Sequence, residues 1–241
     1  MIFFPRPLLQ EVFNQLEDRT IENIDIKTKD SIKIKGWFVK NSKAQKSPLI
    51  IYFGGNAEEV SNLIEKADKF NEWSLSLINY RGYGQSEGKP NEKSLFEDAI
   101  SIYDYFSKRN DIDTNRIILM GRSLGSGVAV YLAQNRPVNA LILVTPYDSM
   151  TSVAQEKVPI LPVPLILKNR FDSLSRVTSI KIPMLALVAE KDSTIPPNHA
   201  KRLVEKWGGK YILKIIEGED HNSISSNDEY WKNIKEFLSQ F

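Results

Sequence analysis

Apolar residues along this 241-residue chain fall into short dense runs separated by longer amphipathic stretches. The runs are "LIIYF" (49–53), "LSLINY" (75–80), "RIILM" (116–120), "ALILV" (140–144), "MLALV" (184–188) and "YILKII" (211–216). Near-continuous apolar runs of this length suit strands covered on both faces. The beginning reads differently. Ile24 and Ile26, then Ile32 and Ile34, alternate with polar residues around the turn signal "TKDS", the pattern of an antiparallel hairpin. Between the runs, apolar residues recur at helical spacing: Val60, Leu63, Ile64 and Ala67; Leu95, Ala99, Ile102, Tyr103 and Phe106; Trp231, Ile234, Leu238 and Phe241. Strands alternating with helices predict one α/β domain over residues 1–241, with a mostly parallel central sheet, an N-terminal antiparallel hairpin and helices on both faces. Right-handed crossovers then gather the functional loops at the carboxyl ends of the parallel strands.

One stretch breaks the rhythm. From about Ser149 to Arg176 the chain is apolar and carries several prolines, and strand signals resume only at Ile182. Long connections without regular structure are uncommon in compact domains unless they serve a function. The stretch is expected to be a short cap or lid over the carboxyl edge of the sheet. A plain irregular connection is the alternative. Its most apolar part, 158–167, is expected to line an acyl pocket or to pack the cap on the core, with a membrane-contact patch as a further reading.

Composition removes several function classes. The net charge of +2 is too small to point to a nucleic-acid partner. The absence of cysteine excludes disulfides, thiol nucleophiles and cysteine-based metal sites. Two histidines, His199 and His221, leave no His-rich metal motif. The run 158–167 is too short and too broken by proline to span a bilayer. The opening "MIFFPRPLLQ" has neither a basic leader nor a cleavage site, so the expected location is cytoplasmic, or membrane-anchored or periplasmic if a segment precedes it.

The candidate chemistry starts at "GRSLG", residues 121–125, where Ser123 lies between a strand signal and the helix-like "SGVAVYLAQN". Strand, sharp turn, helix is the context that raises Gly-x-Ser-x-Gly above chance, because glycines let the turn tighten and present the hydroxyl above the sheet. A structural serine is the plain alternative. A nucleophilic hydroxyl needs a base. His221, in "EGEDHN" after the last strand signal, is placed for that role, whereas His199 reads as a solvent-facing residue in the first turn of a surface helix. A base needs an acid to orient it. Asp192, in "EKDSTIPP", is the candidate, Asp148 its rival, and Glu190 and Asp220 read as surface charges. The backbone amide of Leu124 and that of Asn56 in "YFGGNAEEV" are the candidate oxyanion donors. The glycines of "NYRGYGQSEGKPNE" fit no phosphate-binding spacing and read as a structural loop.

These residues resemble the α/β-hydrolase family of serine hydrolases, and within it the small single-domain branch related to serine aminopeptidases and protein depalmitoylases. The likeness runs from "IKGWFV" to the last helix and rests on "YFGGNA", "NYRGYGQSEGKP", "GRSLGSG", "DSTIPP" and "HN". It implies a triad of Ser123, Asp192 and His221, an oxyanion site at Asn56 and Leu124, and no metal or organic cofactor. The branch usually has histidine where Gly54 stands, so a looser oxyanion loop is implied. The expected activity is hydrolysis of carboxylic esters or thioesters of short to medium acyl chains, with a small-molecule acyl substrate as partner. Amide or peptide cleavage and a non-catalytic hydrolase-fold binding protein are the alternatives.

Overall fold

In the computed structural model of the chain, nine strands among the described residues form one sheet. The structure describes residues 3–8, 15–16, 19–43 and 45–241, so Met1, Ile2, Leu9 and Gln10 of the opening stretch lie outside the described residues. The strands are β1 (Gln15–Leu16), β2 (Arg19–Lys27), β3 (Lys33–Asn41), β4 (Ser47–Phe53), β5 (Ser74–Ile78), β6 (Ile112–Arg122), β7 (Ala140–Val144), β8 (Met184–Ala189) and β9 (Tyr211–Ile216). Their order across the sheet is β1-β2-β3-β5-β4-β6-β7-β8-β9. β1, β2 and β3 pair antiparallel, β3 pairs antiparallel with β5, and every pairing from β5 to β9 is parallel. The hairpin read around "TKDS" is the β2–β3 pair, with Ile24 and Ile26 turned inward and Asn23, Asp25 and Lys27 outward.

β4, β5, β7 and β8 are buried at every position. Their alternate residues feed two separate cores, as the two-residue strand period requires. Leu49, Ile51 and Phe53 pack with α1 (Glu92–Phe106), α2 (Leu124–Asn135) and α6 (Pro197–Glu205). Ile50 and Tyr52 pack on the opposite face with Val60, Ile64, Ala67 and Phe70 and with α7 (Asp228–Leu238). The segment Val60–Phe70 is a 3-10 helix, although its apolar spacing reads as α-helical. β9 also departs from expectation. Its apolar run suggests a strand covered on both faces, but it is the edge of the sheet, and Tyr211, Ile212 and Ile215 are exposed. An apolar run alone does not distinguish a central strand from an edge strand.

The stretch 149–176 leaves β7 and forms three short helices, α3 (Met150–Lys157), α4 (Val163–Ile166) and α5 (Leu174–Val177). Phe171 returns it to the body, where its ring meets Phe96 at 5.4 Å and Phe3 at 6.2 Å. The apolar side chains of 158–167 do not enclose a pocket as expected: Ile160, Leu161, Leu165 and Ile166 are exposed, and Val163 alone of the run is buried. Among the described residues, no helix is long and apolar enough to cross a membrane.

Candidate active site

Chain order reverses at β4, which lies between β5 and β6, and open α/β sheets bind ligands at such a switch point beyond the carboxyl ends of the strands. The ends of β4 and β6 lie side by side there, with Phe53 opposite Gly121. β6 runs into Ser123, the residue that caps α2, with φ 51° and ψ −118°. A non-glycine residue at positive φ is strained, and it is held here by its amide donating to Val144 O at 2.9 Å. Gly125 makes the turn possible. A Cβ on it would lie 2.1 Å from Phe53 O and 2.6 Å from Gly54 O, so only glycine lets the nose of α2 touch the turn after β4.

β8 and β9 supply the other groups. Asp192 follows β8, and its Oδ1 accepts the amides of Thr194 at 2.9 Å and Ile195 at 2.8 Å, which fixes the carboxylate. Its Oδ2 lies 2.7 Å from His221 Nδ1, and His221 Nε2 lies 2.9 Å from Ser123 Oγ. A carboxylate only accepts, so the imidazole proton lies on Nδ1 and Nε2 accepts from the serine hydroxyl. All three residues are buried. The structure therefore brings Ser123, Asp192 and His221 into one hydrogen-bonded chain above the sheet. Asp220 and Glu190 are exposed, yet they shape the His221 loop: Asp220 accepts the amides of Asn222 and Ser223 at 2.8 and 2.9 Å, and Glu190 that of Gly218 at 2.8 Å.

Asp148 does not reach His221. Its carboxylate pairs with His199 Nδ1 at 2.8 Å and Arg202 Nε at 2.7 Å. Burial pushes the Asp148 carboxyl up, but hydrogen bonds from His199 and Arg202 outweigh burial and hold it at about 2. His199 is not solvent-facing as its place in a polar helix start suggests: it is 0% exposed. Its Nε2 lies 3.1 Å from a Glu156 carboxylate oxygen at the end of α3, which places α6 against that helix.

The turn after β4 is held by its side chains as well as its backbone. The Asn56 side chain accepts from the Phe4 amide and the Tyr83 hydroxyl, both at 3.0 Å. Gly54 O accepts from Tyr80 Oη at 2.9 Å. Glu58, a residue no motif singled out, gathers the turn. Its carboxylate accepts from the Gly55 amide at 2.6 Å, Tyr52 Oη at 2.7 Å and Arg122 Nη1 at 3.1 Å. Arg122 Nη2 donates in turn to His221 O at 3.0 Å. Burial lowers the Arg122 pKa, but the Glu58 carboxylate outweighs that and leaves it raised, so the guanidinium stays charged. The implied looseness at Gly54 is thus met by a carboxylate four residues on. The signal was a charged residue two places after a Gly-Gly-Asn turn, readable only once Arg122 is known to face it.

A strained serine on a strand-to-helix turn, with an acid and an imidazole from the next strands of a mostly parallel sheet, defines an α/β-hydrolase. Residues 79–241 match the family model described as Peptidase_S9, the prolyl oligopeptidase family, and the chain belongs to this family of α/β-hydrolases. It is similar to the alpha/beta hydrolase domain-containing protein WAV2 of Arabidopsis thaliana, at 28% identity over 91% of this chain and 79% of that protein. It is similar also to an uncharacterised protein of Mycobacterium tuberculosis, at 32% identity over 83% of this chain and 72% of the other. Among solved structures it resembles an acetyl xylan esterase from a Paenibacillus species, with a TM-score of 0.78, 18% identity, and coverage of 94% of this chain and 85% of that one. At that identity the likeness speaks for the fold.

Proposed function

We propose that the protein hydrolyses carboxylic esters or thioesters through an acyl-serine intermediate. The observation that carries this reading is the continuous relay from Ser123 Oγ through His221 to Asp192, at 2.9 and 2.7 Å. Ser123 Oγ attacks the substrate carbonyl carbon as its proton passes to His221 Nε2. Asp192 holds the imidazole by Nδ1 and balances the imidazolium that forms. The carbonyl oxygen becomes an oxyanion facing the amides of Leu124 and Asn56. Leu124 is the first residue of α2, where an amide has no acceptor within the helix and the helix dipole favours negative charge. Collapse of the intermediate expels the alcohol or thiol, which takes the proton from His221. Water then enters by the same steps in reverse and releases the acid. Amide cleavage is the second reading, favoured by the match to the prolyl oligopeptidase family.

A fluorophosphonate probe tests the chemistry. Labelling of the wild type and none of Ser123→Ala is expected; an unlabelled but folded wild type would sink the reading. Asp192→Asn should keep the fold and lower kcat by on the order of 10⁴-fold. A panel of p-nitrophenyl esters of graded chain length, acyl thioesters and aminoacyl amides, compared by kcat/KM, separates ester from amide cleavage.

A further inference from the structure

The stretch 149–176 carries the three most exposed large apolar side chains among the described residues. Ile160 is 95% exposed, Leu165 86%, Ile166 62% and Leu161 52%. Isolated exposed apolar residues are ordinary, but four within seven positions form a patch, and patches mark interaction surfaces. The backbone beneath them is organised. The Gln155 side-chain amide nitrogen lies 3.0–3.3 Å from the carbonyls of Val158, Pro159 and Leu161, and its oxygen accepts the Val163 amide at 3.2 Å. Arg170 Nη2 donates to Pro164 O at 3.0 Å. The loop therefore satisfies much of its own backbone while turning aliphatic side chains outward. That is what a segment entering a lipid headgroup region requires, because unpaired peptide groups are costly there.

The charges agree. Lys157, Lys168 and Arg170 are exposed at the two ends of the patch, and residues 157–171 contain no acidic side chain. Of the two adjoining carboxylates, Glu156 is turned toward α6, 3.1 Å from His199 and 3.2 Å from Asn198, and the exposed Asp172 accepts the Ser175 amide at 3.1 Å. Among the described residues none of the three cations forms an ion pair. A partner that is apolar at its centre and anionic at its rim matches this surface. The surface also adjoins the helix that Ser123 caps. Phe171, at its foot, lies against α2 one turn beyond Ser123, where a Cβ on Gly127 would sit 3.3 Å from Phe171 Cβ.

We propose that the cap is a peripheral docking surface for anionic lipid bilayers, with Ile160, Leu161, Leu165 and Ile166 entering the interface and Lys157, Lys168 and Arg170 meeting the headgroups. Docking holds the carboxyl edge of the sheet toward the bilayer without a spanning helix. The proposal stands independently of the hydrolase reading, because binding is measured without turnover.

The test is sedimentation of the whole chain with sucrose-loaded vesicles, either pure phosphatidylcholine or 70:30 phosphatidylcholine and phosphatidylglycerol, at about 0.1 M salt. Binding to the mixed vesicles is expected, with at least roughly tenfold weaker partition onto neutral ones, since each cation near an anionic surface contributes about fivefold. Leu165→Asp with Ile160→Asp should abolish sedimentation. Lys157→Gln with Lys168→Gln should weaken it by about 25-fold and remove most of its salt dependence. Fluorophosphonate labelling and thermal melting of the variants check that they remain folded. Equal partition onto both vesicle types, no partition at all, or unchanged binding of the Asp variant overturns the proposal. So does light scattering that shows a wild-type dimer broken by Leu165→Asp without vesicle binding, which would make the patch a contact between copies.

Discussion

Glu58 shows how much a single side chain can hold. It ties the turn after β4 to Tyr52 below it and to Arg122 beside it, and Arg122 carries the tie to the backbone of His221. If that turn supplies an oxyanion donor, its placement depends on this carboxylate, and misplacement by about 1 Å costs on the order of 100-fold in rate. Glu58→Ala is therefore expected to lower kcat roughly 10- to 100-fold with little change in KM; steady-state kinetics beside a thermal melt check it, and an unchanged kcat in a folded variant refutes the role. Gly125→Ala fails for a different reason. Its new methyl would meet two backbone carbonyls, 2.1 and 2.6 Å away, which cannot rotate aside. Overpacking of this kind costs about 1–3 kcal/mol or more, read as a Tm lower by roughly 5–10 °C. The sequence pattern shows Gly121, Ser123 and Gly125 because the motif itself lies within five consecutive residues, although the clash that requires glycine at 125 is with the distant turn after β4. It was silent on Glu58, whose partner Arg122 lies 64 positions away.

At the scale of elements, the cap is fastened by buried polar groups rather than by apolar packing alone. Asp148, at the end of β7, receives His199 and Arg202 from α6 and also accepts the amide of Ser149, where α3 begins. Its carboxyl is lowered from 3.8 to about 2. A carboxyl with a depressed folded-state pKa adds stability that is present above its unfolded value and lost as pH falls through the folded one. Asp148 therefore stabilises the protein above about pH 4, and this contribution fades between about pH 4 and 2. The wild-type minus Asp148→Asn difference in unfolding free energy should shrink across that window, as followed by urea titration at stepped pH; a difference flat with pH contradicts the assignment. Proline and missing strand signals made the cap legible as an interruption. The inward turn of His199 was not legible, because a polar helix start looks the same whether it faces solvent or a buried carboxylate on another element.

Over the whole molecule, the sheet was readable wherever burial on both faces imposes a continuous apolar run, as in β4, β7 and β8. It was misread at β9, where the same pattern borders solvent. The glycine-bearing loop after β5 proves to be held by charge: Arg81 donates to both oxygens of Asp98 on α1 at 2.6 and 2.7 Å, and to Asp30 of the β2–β3 turn at 2.8 Å. Asp98 is buried, so Arg81→Ala strands a carboxylate and should cost about 3–5 kcal/mol, most of it restored in Arg81→Met with Asp98→Leu. Chemical denaturation of the two variants measures this, and equal losses in both would count against it. The same loop also secures the start of the chain. Gly84 N donates to Arg6 O at 2.7 Å, while the Phe4 amide reaches Tyr83 Oη at 3.2 Å and the Asn56 side chain at 3.0 Å. Residues 3–6 thus form a buckle across the turn beside Ser123. Replacing Phe4 by proline, which has no amide hydrogen to give Asn56 and Tyr83, would unfasten that buckle at one point and leave the turn's other ties, to Glu58 and Tyr80, in place.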